Sequence, residues 1–188
     1  MFTPNITLVA CGAPLAARVH EVAAAVVQAG WGCVVVASPM GAQWVDARAV
    51  ETITGLPPSV EQRPITAARR GRLPDAVIAA PITFNTLNKI ATGISDTYAA
   101  GVLCEAVSLS IPLVLVPMIS TRLWGHPAVE QSISALNRWG ACFLDLNSTD
   151  GPTATPQPVP SGTGDQLVAE FNPQRVVDTV RRSGMPAT

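Results

Sequence analysis

The side chains of this chain that can do chemistry gather just after its apolar runs. Pro81-Ile-Thr-Phe-Asn-Thr86 directly follows the pentamer Ala76–Ala80, which reads as a buried parallel strand. A strand ending in Pro, then small and hydroxyl residues, then a helix start, is how open α/β sheets build ligand sites at the carboxyl ends of their strands. Thr83, Asn85 and Thr86 can donate and accept hydrogen bonds toward a ligand there, or cap the helix carrying Leu87 and Ile90. Gly12 follows an earlier run, Ile6–Ala10, and makes either a tight turn or a phosphate cradle at the start of a helix. The pattern Gly-x-Gly-x-x-Gly is missing at that point, which disfavours a typical NAD site. Ser38, after the run Cys33–Ala37, reads as a helix cap.

A further group follows Pro112–Val116, in Pro117-Met118-Ile-Ser120-Thr-Arg122-Leu-Trp124-Gly-His126. Arg122 can hold a carboxylate as a bidentate pair or stand in solvent. His126 can serve as acid or base, or simply open a helix. Lys89 is the only lysine, and Asp96 either caps the next helix or bonds across a subunit boundary.

Five apolar runs have to position these groups: 6–10, 33–37, 76–80, 112–116 and 141–144. Helical spacing joins Leu15, Val19, Val22, Ala23, Val26 and Val27 up to Gly30, and predicts further helices over 42–53, around 87–90, 96–109, around 129–136 and 173–182. Continuous apolar strands alternating with amphipathic helices argue for a parallel sheet covered on both faces, with right-handed connections. Prolines make 55–74 an irregular loop, and Pro152, Pro156, Pro158 and Pro160 mark 147–164 as a mobile segment or lid. The expected organisation is an α/β domain over 1–146, a Pro/Gly-rich loop or clamp over 147–166, and a helix and tail over 167–188.

Composition narrows the function. Charged residues are only 13% of the 188 and the net charge is −1, so no polyanionic partner is expected. Basic runs and aromatic-basic interleaving are absent, which argues against a nucleic-acid binder. No stretch approaches the roughly 20 apolar residues that a membrane span needs. The N-terminus lacks a charged region before an apolar one, so no secretion signal is expected and a cytoplasmic location fits. So low a charged fraction points to apolar surface hidden between subunits. Cys11, Cys33, Cys104 and Cys142 stand singly, and read as isolated thiols rather than disulfides or a metal site.

The central run, continued through Lys89-Ile-Ala-Thr-Gly-Ile-Ser-Asp-Thr97, closely resembles the motif Pro-Ala-Ser-Ala-Asn-Thr followed by Lys-Ile-Ala-Asn-Gly-Ile-x-Asp-Asn. That motif marks the homo-oligomeric flavin-containing cysteine decarboxylases, which include phosphopantothenoylcysteine decarboxylase and the lantibiotic peptidyl-cysteine decarboxylases. The resemblance covers about residues 6–145. It implies a single Rossmann-like, flavodoxin-type domain that binds FMN or FAD and assembles as trimers, sometimes as dodecamers, with flavin between subunits. It assigns cofactor contacts to Gly12, Ser38, Pro81, Thr83, Asn85, Thr86 and Asp96, and substrate contacts to Pro117, Met118 and Trp124. Ser120, Arg122 and His126 are the candidates for catalysis.

The implied activity is oxidative decarboxylation of a cysteine carboxylate through a thioaldehyde, which acts as the electron sink. Several positions depart from the family pattern. Ala13 replaces a Ser, Phe84 a small residue, and Ser120 the Asn of the motif Pro-x-Met-Asn-x-x-Met-Trp. The family's upstream histidine has no counterpart between Leu56 and Arg70, since the chain holds only His20 and His126. Pro160-Ser-Gly162 stands about where the coenzyme A pathway enzymes carry a reducing cysteine. An enzyme without that thiol stops at the enethiol, so the resemblance implies a peptide ending in cysteine as substrate. Two alternatives remain: a flavin-binding paralogue that serves a partner enzyme, and a flavin prenyltransferase, for which the sequence offers little.

Overall fold

The computed structural model describes residues 3–62 and 72–183. Residues 63–71 of the expected loop and 184–188 of the expected tail lie outside them. All five apolar runs are strands: β1 (Asn5–Ala10), β2 (Gly32–Ala37), β3 (Ala76–Ile82), β4 (Leu113–Pro117) and β5 (Cys142–Phe143). They form one parallel sheet in the order β2-β1-β3-β4-β5. Every residue of β3 and β4 is buried, which is why these runs show no polar alternation.

Successive side chains of a strand point to opposite faces, and this divides the core in two. Leu8, Ile78 and Val114 pack into one layer with Val22 of α1 (Val19–Gln28), Val50 of α2 (Ala47–Thr54) and Val177 of α8 (Gln174–Arg182). Val9, Val77 and Leu115 pack into the other. That layer holds Leu87 of α3 (Phe84–Ala91), Leu103 of α4 (Tyr98–Ser108) and Leu136 of α6 (Pro127–Arg138). Each fully buried aliphatic side chain here contributes about 2 kcal/mol of transfer free energy. The short α5 (Thr121–Trp124) follows β4, and α7 (Gly164–Glu170) precedes α8. No described helix is long and apolar enough to cross a membrane.

Four local expectations change. The helix expected over 42–53 is instead a short 3-10 turn, Gly41–Gln43, followed by α2. Asp46 sets the break, because its side chain accepts from the N–H groups of Arg48 and Ala49 at 3.1 and 3.0 Å. Thr97, not Asp96, caps α4, by accepting from Ala100 N at 3.2 Å. The start of the expected irregular loop lies along β2, where Ser59 exchanges backbone hydrogen bonds with Ala37 and Val35, both 2.9 Å.

The fourth change is the largest. The segment expected to be a mobile lid is tied down: Thr153 N donates to Phe143 O at 2.8 Å, and Val159 bridges to Ser120. It leads into α7, which the sequence reading missed. Arg18 holds that helix by donating to the carbonyls of Val168 and Ala169 while its guanidinium pairs with Glu21.

Candidate functional site

Strand order reverses direction between β1 and β3, so the loops that leave these two strands diverge. Open sheets of this order bind ligands in the crevice that results. Here the crevice is a cleft of about 620 Å³. β1 supplies Gly12 and Ala13, and β2 supplies Ser38, Met40 and Trp44. The end of β3 and the start of α3 give Thr83, Phe84, Asn85, Thr86 and Lys89. Met118, Ile119, Ser120 and Leu123 come from the end of β4 and from α5.

Close backbone approach shapes the phosphate-sized end. A Cβ on Gly12 would lie 2.7 Å from Met40 Cβ, and one on Gly41 would run into the Ala10 carbonyl oxygen. The loop after β2 therefore packs directly on the end of β1, and Ser38 N donates to Ala10 O at 2.9 Å. Ser38 Oγ accepts from Gly41 N at 3.0 Å, which leaves the hydroxyl hydrogen free to donate. Cys11 N donates to Pro81 O at 3.0 Å and Met118 N to Ile82 O at 2.9 Å, which sets the three strand ends side by side.

The start of α3 faces the same cleft. Thr83 is at the cap position, but its side chain makes no cap; its hydroxyl lies 3.4 Å from that of Thr86. The first N–H groups of a helix lack intrahelical partners. Asn85 is exposed, and its amide has no partner among the described residues. The capping role open to these side chains is thus not the one they take, and their polar groups are available to a ligand.

Beneath them lies Cys11. Burial pushes its thiol above the ordinary value, while hydrogen bonds with the Thr86 side chain and the Thr83 backbone pull it down. Cys33, in the opposite core layer, is pushed up to about 12 by burial alone. Its folded value lies above its unfolded one, so its contribution to stability is complete below the ordinary value of 9.0 and fades as pH rises toward about 12. Chemical unfolding at stepped pH should show stability falling across that window, and falling less steeply in Cys33→Val. Equal slopes for the two proteins would refute this.

The remaining candidates are distributed otherwise. Pro81 and Pro117 are buried within strands and act through the backbone. Asp96 pairs with Lys89 at 2.7 Å, a contact that holds the one cation lining the cleft among the described residues. Arg122 is exposed on α5, two residues beyond Ser120, and is not among the residues that line the cleft. Trp124 and His126 line a neighbouring groove of about 670 Å³, between α6 and residues 154–157. His126 Nδ1 accepts from Ala128 N at 3.1 Å and caps α6, and the ring stands edge-on to Phe84 at 5.6 Å. Sequence reasoning missed Gly41, Met40 and Trp44. A Gly three residues after a strand-end Ser was the only signal for the first; the two apolar side chains carried none.

The family described as Flavoprotein matches residues 3–182. This chain belongs to the Flavoprotein family. Membership bears out the resemblance drawn from the central motif, and with it flavin as the cofactor class. Phosphopantothenoylcysteine decarboxylase of Mus musculus is 36% identical over 69 residues, 37% of this chain and 33% of that protein. The coenzyme A biosynthesis bifunctional protein CoaBC of Bacillus subtilis (strain 168) is 35% identical over 71 residues, 38% of this chain and 17% of that protein. The matched stretch therefore spans a third or less of either relative.

Solved structures extend the match in fold over nearly the whole chain. A mutant PPC decarboxylase superposes with a TM-score of 0.70 at 18% identity, covering 96% of this chain and 97% of its own. The FMN-dependent cysteine decarboxylase TvaF from thioviridamide biosynthesis gives 0.63 at 21% identity, over 96% and 99%.

The cleft fits a flavin by its donor set. Met40, Trp44, Phe84 and Leu123 form an apolar wall for a flat ring, and the Asn85 amide stands free beside it. The cradle at Gly12, with the Ser38 hydroxyl and the free N–H groups opening α3, suits a phosphate held by neutral donors. Lys89, on the same wall, is engaged by Asp96.

Proposed function

We propose that this chain is a flavin-dependent enzyme that oxidatively decarboxylates the C-terminal cysteine of a peptide. One observation carries the reading: the ends of β3 and β4 are joined at Met118 N–Ile82 O, so the flavin donors and the Ser120 segment share one cavity. A bound flavin supplies the oxidant, taking two electrons and two protons as the –CH(COOH)–CH₂–SH terminus becomes –CH=CH–SH and carbon dioxide. Gly12, Ser38, Thr83, Asn85 and Thr86 hold the cofactor. The Ser120 hydroxyl donates to the substrate carboxylate from inside the cleft, and Arg122 reaches it from α5. His126, with Nδ1 used as a cap, has only Nε2 to offer, as a donor.

Ser161 supports a peptide over a pantothenoyl substrate. It stands on the 147–166 clamp where a reducing thiol would be needed, and its hydroxyl meets Thr121 Oγ1 at 3.2 Å. The peptidyl-cysteine decarboxylase EpiD, which shares the fold, supports the same substrate class. Exposed Met40, Trp44 and Leu123 at the rim support a homo-oligomer, a trimer or a dodecamer, that covers them. A cytoplasmic site of action accords with four free thiols.

A second reading has its own support. Ser120 is shorter than an Asn, and the one imidazole near the cleft caps a helix, which favours a flavin-binding paralogue serving a partner enzyme. The test is the absorption spectrum of the purified protein, with the released cofactor identified by chromatography, followed by incubation with a synthetic pentapeptide ending in cysteine. Loss of carbon dioxide and two hydrogens from the peptide supports the decarboxylase. A yellow protein that leaves such peptides intact supports the paralogue. A colourless protein that takes up no flavin overturns both.

A further inference from the structure

Asp145 lies just beyond β5 and is buried, 8% exposed. One oxygen of its carboxylate accepts from Asn147 N at 2.8 Å and from Asn147 Nδ2 at 3.0 Å; the other accepts from Gln157 N at 3.1 Å. Asn147 Nδ2 also donates to Pro158 O at 3.1 Å. From α8, Arg175 donates to the carbonyls of Asp145 and Asp150 at 3.1 and 2.8 Å. A strap of chain is thereby drawn together around one buried carboxylate.

The composition of the strap explains why it needs one. In Pro156-Gln-Pro-Val-Pro160 only Gln157 and Val159 carry an amide hydrogen. Gln157 gives its hydrogen to Asp145, and Val159 gives its own to Ile119 O at 2.8 Å. Thr121 N then donates to Val159 O at 3.2 Å, and Thr121 Oγ1 meets Ser161 Oγ. Ile119–Thr121 is the segment that carries Ser120 into the cleft. The carboxylate thus acts on the cleft at one remove, through a run of chain whose prolines leave it few backbone donors of its own.

We infer that Asp145 is a positioning residue for substrate recognition: through the proline strap it fixes Ser120 for the peptide carboxylate, without touching the flavin. This rests on the decarboxylase reading above. The strap is then a wall already in place, and its register is set by a side chain outside the cleft.

Asp145→Asn tests this in the flavin-loaded protein. An amide keeps one oxygen but turns an N–H toward a backbone N–H that needs an acceptor. Flavin content should stay stoichiometric and kcat should stay within about twofold, while KM for the cysteine-ended pentapeptide rises roughly tenfold, the effect of losing one charge-assisted hydrogen bond. An unchanged KM, or loss of flavin with it, overturns the inference. Should that variant fail to fold, Asn147→Ala removes the side-chain amide donor to Asp145 and Pro158 and leaves the carboxylate bonded to the backbone N–H groups of residue 147 and Gln157; it should raise KM less, and an unchanged KM again overturns the inference.

Hydrogen exchange at Val159 and Thr121 separates this inference from the reading it rests on. Faster exchange at both in Asp145→Asn supports positioning by the clasp even if no such peptide reacts with the wild-type protein. Unchanged exchange refutes it whatever the activity.

Discussion

Gly41→Ala is expected to destabilise the protein by about 3 kcal/mol, the upper part of the range for overpacking, and to empty it of flavin. The added methyl group meets the Ala10 carbonyl oxygen, which is backbone at the end of β1, an interior strand held between β2 and β3, and has no side-chain freedom with which to yield. Relief requires the Gly41 loop to withdraw from β1. Withdrawal strains two hydrogen bonds at once: Ser38 N to Ala10 O, and Gly41 N to Ser38 Oγ. The hydroxyl that would donate to a phosphate then loses its support. For a chain of this size the melting temperature should fall by roughly 6–12 °C. A variant that melts like the wild type and stays yellow would show that the loop tolerates a Cβ, and would remove the close approach from the account of the site.

Asn85→Asp should separate binding from stability. The amide is exposed and bonds to nothing among the described residues, so the exchange breaks no contact in the unliganded protein. At the second position of α3 a carboxylate interacts favourably with the helix dipole, which adds roughly 0.5 kcal/mol to apo stability. Toward a flavin the sign reverses, because a carboxylate has no hydrogen to donate and brings negative charge to a site that accepts a phosphate. The loss should be about 2 kcal/mol, roughly thirtyfold in flavin affinity. Flavin titration followed by fluorescence, beside thermal melts of the apo protein, gives both numbers. Wild-type affinity in the variant would move the cofactor away from Asn85.

The strands were legible because the inner ones are buried on both faces and the edge ones largely so, which leaves an apolar run that needs no partner to be recognised. Ile6–Ala10 and Ala76–Ala80 differ from the observed strands by one or two terminal residues. Helix ends were less legible where neighbours compete to cap: Asp96 and Thr97 are adjacent, and only the fold sends one to Lys89 and the other to Ala100 N. The cleft was legible through Thr83, Asn85 and Thr86, which local spacing already places at a strand end. Gly41 and Asp145 were not. The reason for the one is an oxygen on another strand, and for the other an amide twelve residues away, past two prolines. Trp124 and His126 were grouped with Ser120 by proximity in the chain, yet α5 turns them into the adjoining groove.

The pairing of Lys89 with Asp96 has a practical side. With a single ε-amine in 188 residues, any acylating or cross-linking reagent selective for lysine side chains finds one address, on the rim of the cleft. A ligand in the cleft would shield that address, so the extent of labelling, read as one mass increment, becomes a footprint of occupancy that needs neither colour nor turnover. The same scarcity means that lysine-to-lysine bridges can join subunits only where two copies bring their clefts within reach of each other.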